Sequence, residues 1–261
     1  MPEVVEPNWQ QQAEFHAFSV RQMIKQRDRL HALLSAFGQF GAFPNGTKMA
    51  EIADAVPQST SQFFQDVFAL IYNQGKRGGY AVEFGACDGL AMSNTVMLER
   101  EFAWTCLLAE PSRHWQGGLY ANRRAKIETR CVSAKSGEYL TFAEAENDHT
   151  QSTTSAHMTA GNLGGRSYCV ETISLFDMLQ HHEAPQTINF LSCDTEGSEY
   201  AILEAFFAEN ARAATPYRIN FIAVEHHGEP VETAIKAMLE RAGLKQVFRK
   251  ASGHDGFYVP A

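Results

Sequence analysis

The sequence lacks any surplus of positive charge: 22 Lys and Arg stand against 30 Asp and Glu in 261 residues, a formal net charge of −8. That balance weighs against nucleic acid or an anionic membrane as the main partner, because phosphate-rich surfaces are bound by basic clusters. No apolar run reaches the roughly 20 residues that a helix needs to cross a bilayer. The opening, MPEVVEPNWQQQ, has neither a basic flank nor an apolar run, so no secretory leader is expected. Five cysteines, at 87, 106, 131, 169 and 193, follow neither a pairing pattern nor C-x-x-C spacing. Three of them fall in or beside apolar runs, where Cys acts as a small buried side chain, and a reducing cytoplasm is the simplest expectation. Internal repeats are absent. With 19 Gly, 9 Pro and 44% hydrophobic residues, the composition is that of an ordinary globular protein. The length suits one large domain, or one domain with an appendage.

The first ~75 residues read as helical. Trp9 to Phe37 carries Phe15, Phe18, Ile24, Leu30, Leu33, Leu34 and Phe37 at helical spacing, and GQFGAFPNGT at 38–47 is a turn-rich break. A second helix is expected from Ser61 to Tyr72, with Phe64, Val67, Phe68 and Ile71 on one face, stopped by the Gly-rich run at 75–79. From Tyr80 the texture changes to short apolar runs alternating with helical patterns. The expected strands are 80–84, 105–110, 126–132, 188–194, 221–227, 244–250 and 256–260. The expected helices are 93–102, 112–123, 173–182, 198–208 and 231–242. That alternation predicts βαβ units and a doubly wound, mostly parallel sheet. The closing pair of strands, joined by Ser-Gly-His-Asp, predicts a hairpin and one antiparallel strand at the edge. The polar stretch at 143–167 is longer than ordinary connections and reads as a lid or an unstructured loop.

The sharpest local pattern is EFGACDG at 83–89, which follows an apolar strand and precedes a helix opening at Ser93-Asn94-Thr95. A Gly-rich turn of this kind lets a nucleotide-bearing ligand approach the backbone, and helix N-terminal amides supply donors. Glu110 ends the next strand, where a carboxylate can accept both hydroxyls of a ribose. The turn lacks G-x-G-x-x-G spacing, which disfavours a dinucleotide and hence a nicotinamide-dependent oxidoreductase. The acids Glu83 and Asp88 suit a ligand with a cationic amino-acid end, and S-adenosylmethionine is such a ligand.

Three blocks carry a resemblance to a known family. Residues 61–112, SQFFQDVFALIYNQGKRGGYAVEFGACDGLAMSNTVMLEREFAWTCLLAEPS, resemble the opening of the FkbM family of S-adenosylmethionine-dependent methyltransferases. YCVETISLFDMLQ (168–180) with INFLSCDTEGSEYAILEAF (188–206) resembles its second block, and FIAVEHH (221–227) its third. The resemblance implies a Rossmann-like seven-stranded sheet with one antiparallel strand, spanning 61–261 and preceded by a helical segment, 1–60. It also implies S-adenosylmethionine as cofactor and methyl transfer to an oxygen of a sugar or other small polar acceptor. Cys87 and Cys193 depart from the commonest forms. Carried over by position, the cofactor set is Glu83, Gly85, Ala86, Asp88 and Gly89 in the turn and Asn94 near the methionine end. Glu110 falls at the ribose with Pro111 and Ser112 beside it, Ser133 and Ala134 at the adenine, and Asp194 at the crevice.

A hydroxyl acceptor must lose its proton to a base within hydrogen-bond reach. Asp194, Glu196, Glu225, His226 and His227 supply the candidates, with His226 or Asp194 favoured as base; imidazole suits proton transfer near neutrality. Each also has a structural reading. Asp194, Glu196 and Glu199 can cap the helix that opens near Ser198. Glu225 can bind a backbone amide, and His181 and His182 can serve as cations at a helix end. His149, His157 and His254 read as loop residues, and Trp104 and Trp115 as packing residues. Asp194, Glu225, His226 and His227 offer N/O ligands, but no H-x-x-x-H spacing is present and no metal is expected. The rival readings are a catalytically silent cofactor-binding module and a carboxylate O-methyltransferase. No N-P-P-Y motif stands after the fourth strand, which argues against amino-methylation of bases. The expected partner is a small-molecule or saccharide acceptor, with the N-terminal helices covering the site or forming a homo-oligomer.

Overall fold

The computed structural model describes residues 46–144, 166–226, 228–249 and 252–261, with Ile24, Arg27, Asp28, Leu30, His31 and the backbone of 153–154. It divides into two compact units, Met1–Gln58 and Ser59–Ala261. In the first, α1 (Gly46–Ala55) runs into a 3₁₀ turn, Val56–Gln58, with Met49, Ile52, Ala53 and Val56 buried. Gly46 and Thr47, expected in the turn-rich break, already belong to α1. The rest of that break and most of 9–37 lie outside the described residues.

The second unit opens with α2 (Gln65–Tyr72), shorter than the 61–72 expected. Phe64 adopts a left-handed backbone (φ 59°), and the Gln65 carboxamide accepts the Phe63 N–H, so the chain turns before it coils. The main sheet has seven strands: β1 (Tyr80–Phe84), β2 (Thr105–Ala109), β3 (Lys126–Glu128), β9 (Phe190–Cys193), β11 (Ile222–Glu225), β12 (Leu244–Val247) and β13 (Asp255–Pro260). Their spatial order is β12-β13-β11-β9-β1-β2-β3. All neighbours are parallel except β13, which runs against both β11 and β12. The reversed strand is therefore one place in from the edge, and β12 is the edge: the hairpin is as expected, but its return strand inserts beside β11. All five residues of β1 are buried, as in a strand covered on both faces. One face packs Val82, Phe84, Leu107, Leu191, Ile222 and Val224 in a cluster with Ile202, Leu203, Phe206, Ile235 and Leu239. Phe221 holds ring contacts with Tyr72, Phe190 and Phe257.

The helices are α3 (Val96–Phe102), α4 (Arg113–Asn122), α5 (Leu175–His181), α6 (Glu199–Asn210) and α7 (Val231–Arg241). None of the described helices is long and apolar enough to cross a membrane.

The stretch expected as one strand, 126–132, breaks in two. The Glu128 carboxylate accepts the Arg130 N–H and pairs with its guanidinium, which turns the chain at Thr129-Arg130. Beyond this corner, β4 (Cys131–Ser133) leaves the main sheet to pair with β7 (Ser167–Ser174). With β5 (Tyr139–Ala143) and β6 (Thr153–Thr154) these make a second sheet, ordered β4-β7-β5-β6, around Cys131, Phe142 and Val170. Apart from β4, this sheet was not expected. Of the proposed lid at 143–167, only the sheet-forming ends, Glu144, Arg166 and the pair 153–154 fall within the described residues. Two short strands, β8 (Thr187–Ile188) and β10 (Arg218–Ile219), pair in parallel just before β9 and β11.

Candidate active site

The strand order reverses between β1 and β9: β2 and β3 lie to one side, β11 and β13 to the other. In open α/β sheets the crevice beyond the carboxyl ends of such a pair is where ligands bind. A cleft opens there, lined from the β1–β2 side by Gly85, Cys87, Ala109, Glu110, Pro111 and Trp115, with Cys131, Val132 and Phe142 from the second sheet. From the β9–β11 side it is lined by Asp194, Thr195, Glu196, Ser198 and Glu225, with Gln62 and Gln65 near the start of α2. Glu83, Phe84, Ala91, Met92 and Asn94 complete the wall.

The turn at its base is shaped by close approach. Gly85 has φ +68°, and a Cβ there would stand 2.2 Å from the carbonyl oxygen of Asp194, so only glycine lets the two strand ends meet. Cys87 also takes a left-handed backbone (φ 47°), and its N–H donates to Glu110 Oε2 at 2.9 Å. Asp88 accepts from the amides of Leu90 and Ala91, so its carboxylate braces the turn; Ala86, Asp88 and Gly89 do not line the cleft.

Glu83 lines the cleft but spends its oxygens on the protein. Oε1 accepts the Asn94 N–H at 2.7 Å, and Oε2 accepts the hydroxyls of Ser93 and Thr95. This holds 93–95 out of the helix expected from 93, and α3 begins at Val96. Arg123, its side chain wholly buried, sits 3.9 Å from Glu83, pairs with Glu99, and donates to Gly89 O, Ser93 Oγ and Thr95 Oγ1. Burial raises the Glu83 carboxyl above its ordinary range, with Arg123 opposing.

Glu110 is buried, and each of its oxygens holds one backbone N–H, from Cys87 and from Ser112. A carboxylate oxygen has two lone pairs, so one site on each remains for a diol. Burial pushes this group up to about 7, with Glu144 and Asp194 adding to it. Pro111 lines the cleft; Ser112 is buried and donates to Glu144, which also receives the Tyr168 hydroxyl and the His114 N–H. That knot ties the second sheet to the start of α4. Ser133 and Ala134 do not reach the cleft; Cys131 and Val132 stand there, because β4 turns out of the main sheet. Asn94 donates from Nδ2 to Ser192 Oγ at 2.9 Å, while its buried Oδ1 has no hydrogen-bond partner.

Across the cleft, Asp194, Glu196 and Glu225 each place a carboxylate oxygen within 4.8 Å of the other two. Burial, the charge of Asp194 and a hydrogen bond to it push Glu225 up to about 10. Glu199 does the local bracing, accepting from Thr195 and Gly197, and the N-cap position of α6 is held by Ser198. His226 does not line the cleft; it is buried, and its Nδ1 accepts the Gly228 N–H at 3.1 Å. His227 lies outside the described residues. Trp104 is a packing residue, stacked where Gly79 leaves room, but Trp115 lines the cleft. His182 pairs with Glu128 at 3.1 Å instead of serving as a free cation.

A family model described as "Methyltransferase FkbM domain" matches residues 83–245, more than half of the chain. The chain belongs to the FkbM methyltransferase family. Use of S-adenosylmethionine goes with that membership, and the cleft fits it: an apolar wall with one ribose-competent carboxylate, and an orphaned buried oxygen on Asn94. No curated protein matches the chain. Among solved structures it is similar to the FkbM methyltransferase from Methylobacillus flagellatus KT (11% identity, 82% of this chain, 59% of that one, TM-score 0.44). It is also similar to the METTL16 methyltransferase domain (8%, 74% and 64%, 0.43) and to a precorrin-6y C5,15-methyltransferase from Geobacter metallireducens GS-15 (10%, 70% and 73%, 0.39). The chain thus spans less than two thirds of the METTL16 and M. flagellatus chains.

Two outcomes are expected of this FkbM domain. Arg123→Met leaves Glu83 buried without its cation and is expected to cost about 3–5 kcal/mol in urea unfolding; a change within about 1 kcal/mol would show that the knot is idle. Burial also holds Asp66, Glu110 and Asp255 at about 7, above the 3.8 and 4.5 of free Asp and Glu. The folded state then keeps protons that the unfolded chain has released, so stability falls as pH rises from about 4.5 to about 7. The urea midpoint should be higher at pH 5.5 than at pH 8, and Asp66→Asn should flatten the difference. A higher midpoint at pH 8 contradicts the assignment.

Proposed function

We propose that this chain is an S-adenosylmethionine-dependent O-methyltransferase acting on a sugar or another small polar hydroxyl compound. The observation that carries the reading is the division of one cleft at the β1/β9 reversal. Its β1–β2 half is apolar with a single ribose-competent acid, Glu110, and its β9–β11 half is polar with three acids. In this reading the methyltransferase domain is 61–261, with 1–60 a separate helical segment that covers the site or supports oligomer formation, and the protein works in the cytoplasm.

When bound, S-adenosylmethionine supplies a methyl group on a positively charged sulfur, with a good leaving group already in place. The remaining work is alignment, exclusion of water and removal of one proton. Glu110 holds the ribose hydroxyls, Asn94 Oδ1 accepts from the amino-acid end, and Trp115, Phe142 and Val132 enclose the adenine. Asp194, at the tip of β9 against Gly85, lies where the two halves meet and acts as the base; Glu225 keeps a proton and holds Asp194 through their hydrogen bond. His226 is a weaker base candidate than its chemistry alone suggests, because its Nδ1 is spent on Gly228. Ser133, Ala134, Ser112 and Asp88 support the walls without touching ligand.

The test separates binding from chemistry. By calorimetry Glu110→Gln should weaken S-adenosylhomocysteine binding at least about tenfold, the loss of charge-assisted bonds to a diol. Asp194→Asn should leave that affinity within about threefold and lower kcat by about 10²-fold or more, as loss of a general base does. Unchanged binding in the first variant, or unchanged kcat in the second, removes the assigned role.

A further inference from the structure

The approach to α2 lines the polar half of the cleft through Gln62 and Gln65, and it lies outside the residues that match the family model. The segment is pinned on two sides. Thr60 Oγ1 and Ser61 Oγ donate to the Ser93 carbonyl oxygen, 3.0 and 3.4 Å away. The Phe63 ring lies against Gly253, where a Cβ would come within 2.3 Å of it, and meets His254 edge-on. Gln65, only 3% exposed, is caught between these anchors: its Oε1 accepts the Phe63 N–H and its Nε2 donates to Asp255 Oδ2, each at 2.9 Å. Exchanging the amide oxygen and nitrogen would set oxygen against oxygen at Asp255 and donor against donor at Phe63, so these partners fix the orientation of the carboxamide. A carboxamide has two N–H donors. Asp255 takes one, and among the described residues the second has no partner.

Building on the methyltransferase reading, we propose that Gln65 selects the acceptor, donating this second N–H to an oxygen beside the hydroxyl that is methylated, so that the acceptor is a compound with neighbouring oxygens, of the diol type. Gln65 and the proposed base, Asp194, line the same cleft, and they are linked through Asp255. Burial raises the Asp255 carboxyl to about 7; its bond from Gln65 opposes this, and the charge of Asp194 adds to it. The group that anchors Gln65 thus lies within reach of the base. A fixed amide donor differs from a hydroxyl, which can rotate to accept instead. An acceptor that offers a C–H at this place strips water from the N–H and returns nothing, whereas one that offers an oxygen restores the bond. Gln65 takes no proton in the transfer; it sets which hydroxyl lies against Asp194.

The experiment titrates the full chain, saturated with S-adenosylhomocysteine, with cis-1,2-cyclohexanediol and with cyclohexanol, which differ by a single oxygen. The diol should bind at least about fivefold more tightly, the cost of leaving a desolvated donor bare. On the unaltered protein, labelled with ¹⁵N in its glutamine side chains, the Gln65 amide signal should move on addition of the diol and stay in place with cyclohexanol. Gln65→Leu should bring the two affinities within about twofold of each other, while the affinity for S-adenosylhomocysteine stays the same. Equal binding of the two alcohols, no binding of the diol, a Gln65 signal that the diol does not move, or a preference that survives Gln65→Leu overturns the proposal. Failure of S-adenosylhomocysteine itself to bind refutes the methyltransferase reading instead, so the two failures are distinguishable.

Discussion

Glu83, next to last in β1, buries its carboxylate at the wall of the cleft, and the rest of the site is arranged around that group. Its oxygens hold the Asn94 amide and the Ser93 and Thr95 hydroxyls, while Arg123 closes the circuit through Glu99, Gly89, Ser93 and Thr95. An ion pair of this kind adds little stability over an apolar substitute, but losing one partner is expensive, because the other charge is then stranded. The knot therefore fixes geometry: it delays α3 until Val96 and leaves Asn94 at the cleft wall. Because Arg123 enters from the end of α4, the second crossover helix is bound to the first turn of the sheet.

Topology does the rest. A sheet whose order reverses at β1/β9 places the end of β2 on one side of the crevice and the ends of β9 and β11 on the other. Glu110 is the acid of the first side, and Asp194, Glu196 and Glu225 are those of the second. The two acid sets therefore lie on opposite sides of a single opening and have different surroundings. Glu110 is gripped by two amides beneath an aromatic and aliphatic wall, whereas the trio face one another among glutamines and hydroxyls. Two kinds of ligand chemistry can meet where Gly85 touches Asp194.

Much of this was legible before any coordinates. Apolar runs separated by helical patterns give the strands, and the Gly-rich turn with the acid one strand later gives the crevice. The features that escaped have physical causes. The corner at Thr129-Arg130 depends on a Glu128–Arg130 pairing two residues apart, which looks like ordinary strand polarity. Reading 126–132 as one strand therefore set Ser133 and Ala134 at the crevice, whereas Cys131 and Val132 are the residues that line the cleft. The second sheet escaped because its edges are half-exposed and its members far apart in sequence; Phe142 thus went unseen, and Trp115 passed for packing. His226 drew attention for its chemistry, yet a backbone amide two residues on claims its nitrogen, a local contact that periodicity does not register. Gln62 and Gln65 precede or open a helix and carry no motif; the non-helical Phe64 is what turns them inward.

The central claim is that the opening between β1 and β9 is where an adenosyl ligand sits. Hydrogen–deuterium exchange with and without S-adenosylhomocysteine tests it directly. The account predicts slowed exchange in 83–95, 108–115 and 131–133, including the Cys87 and Ser112 amides that clasp Glu110, with little change at the far end of the sheet. Unaltered exchange in those segments, or slowing confined to the surface around Arg218 and Arg241, would contradict it.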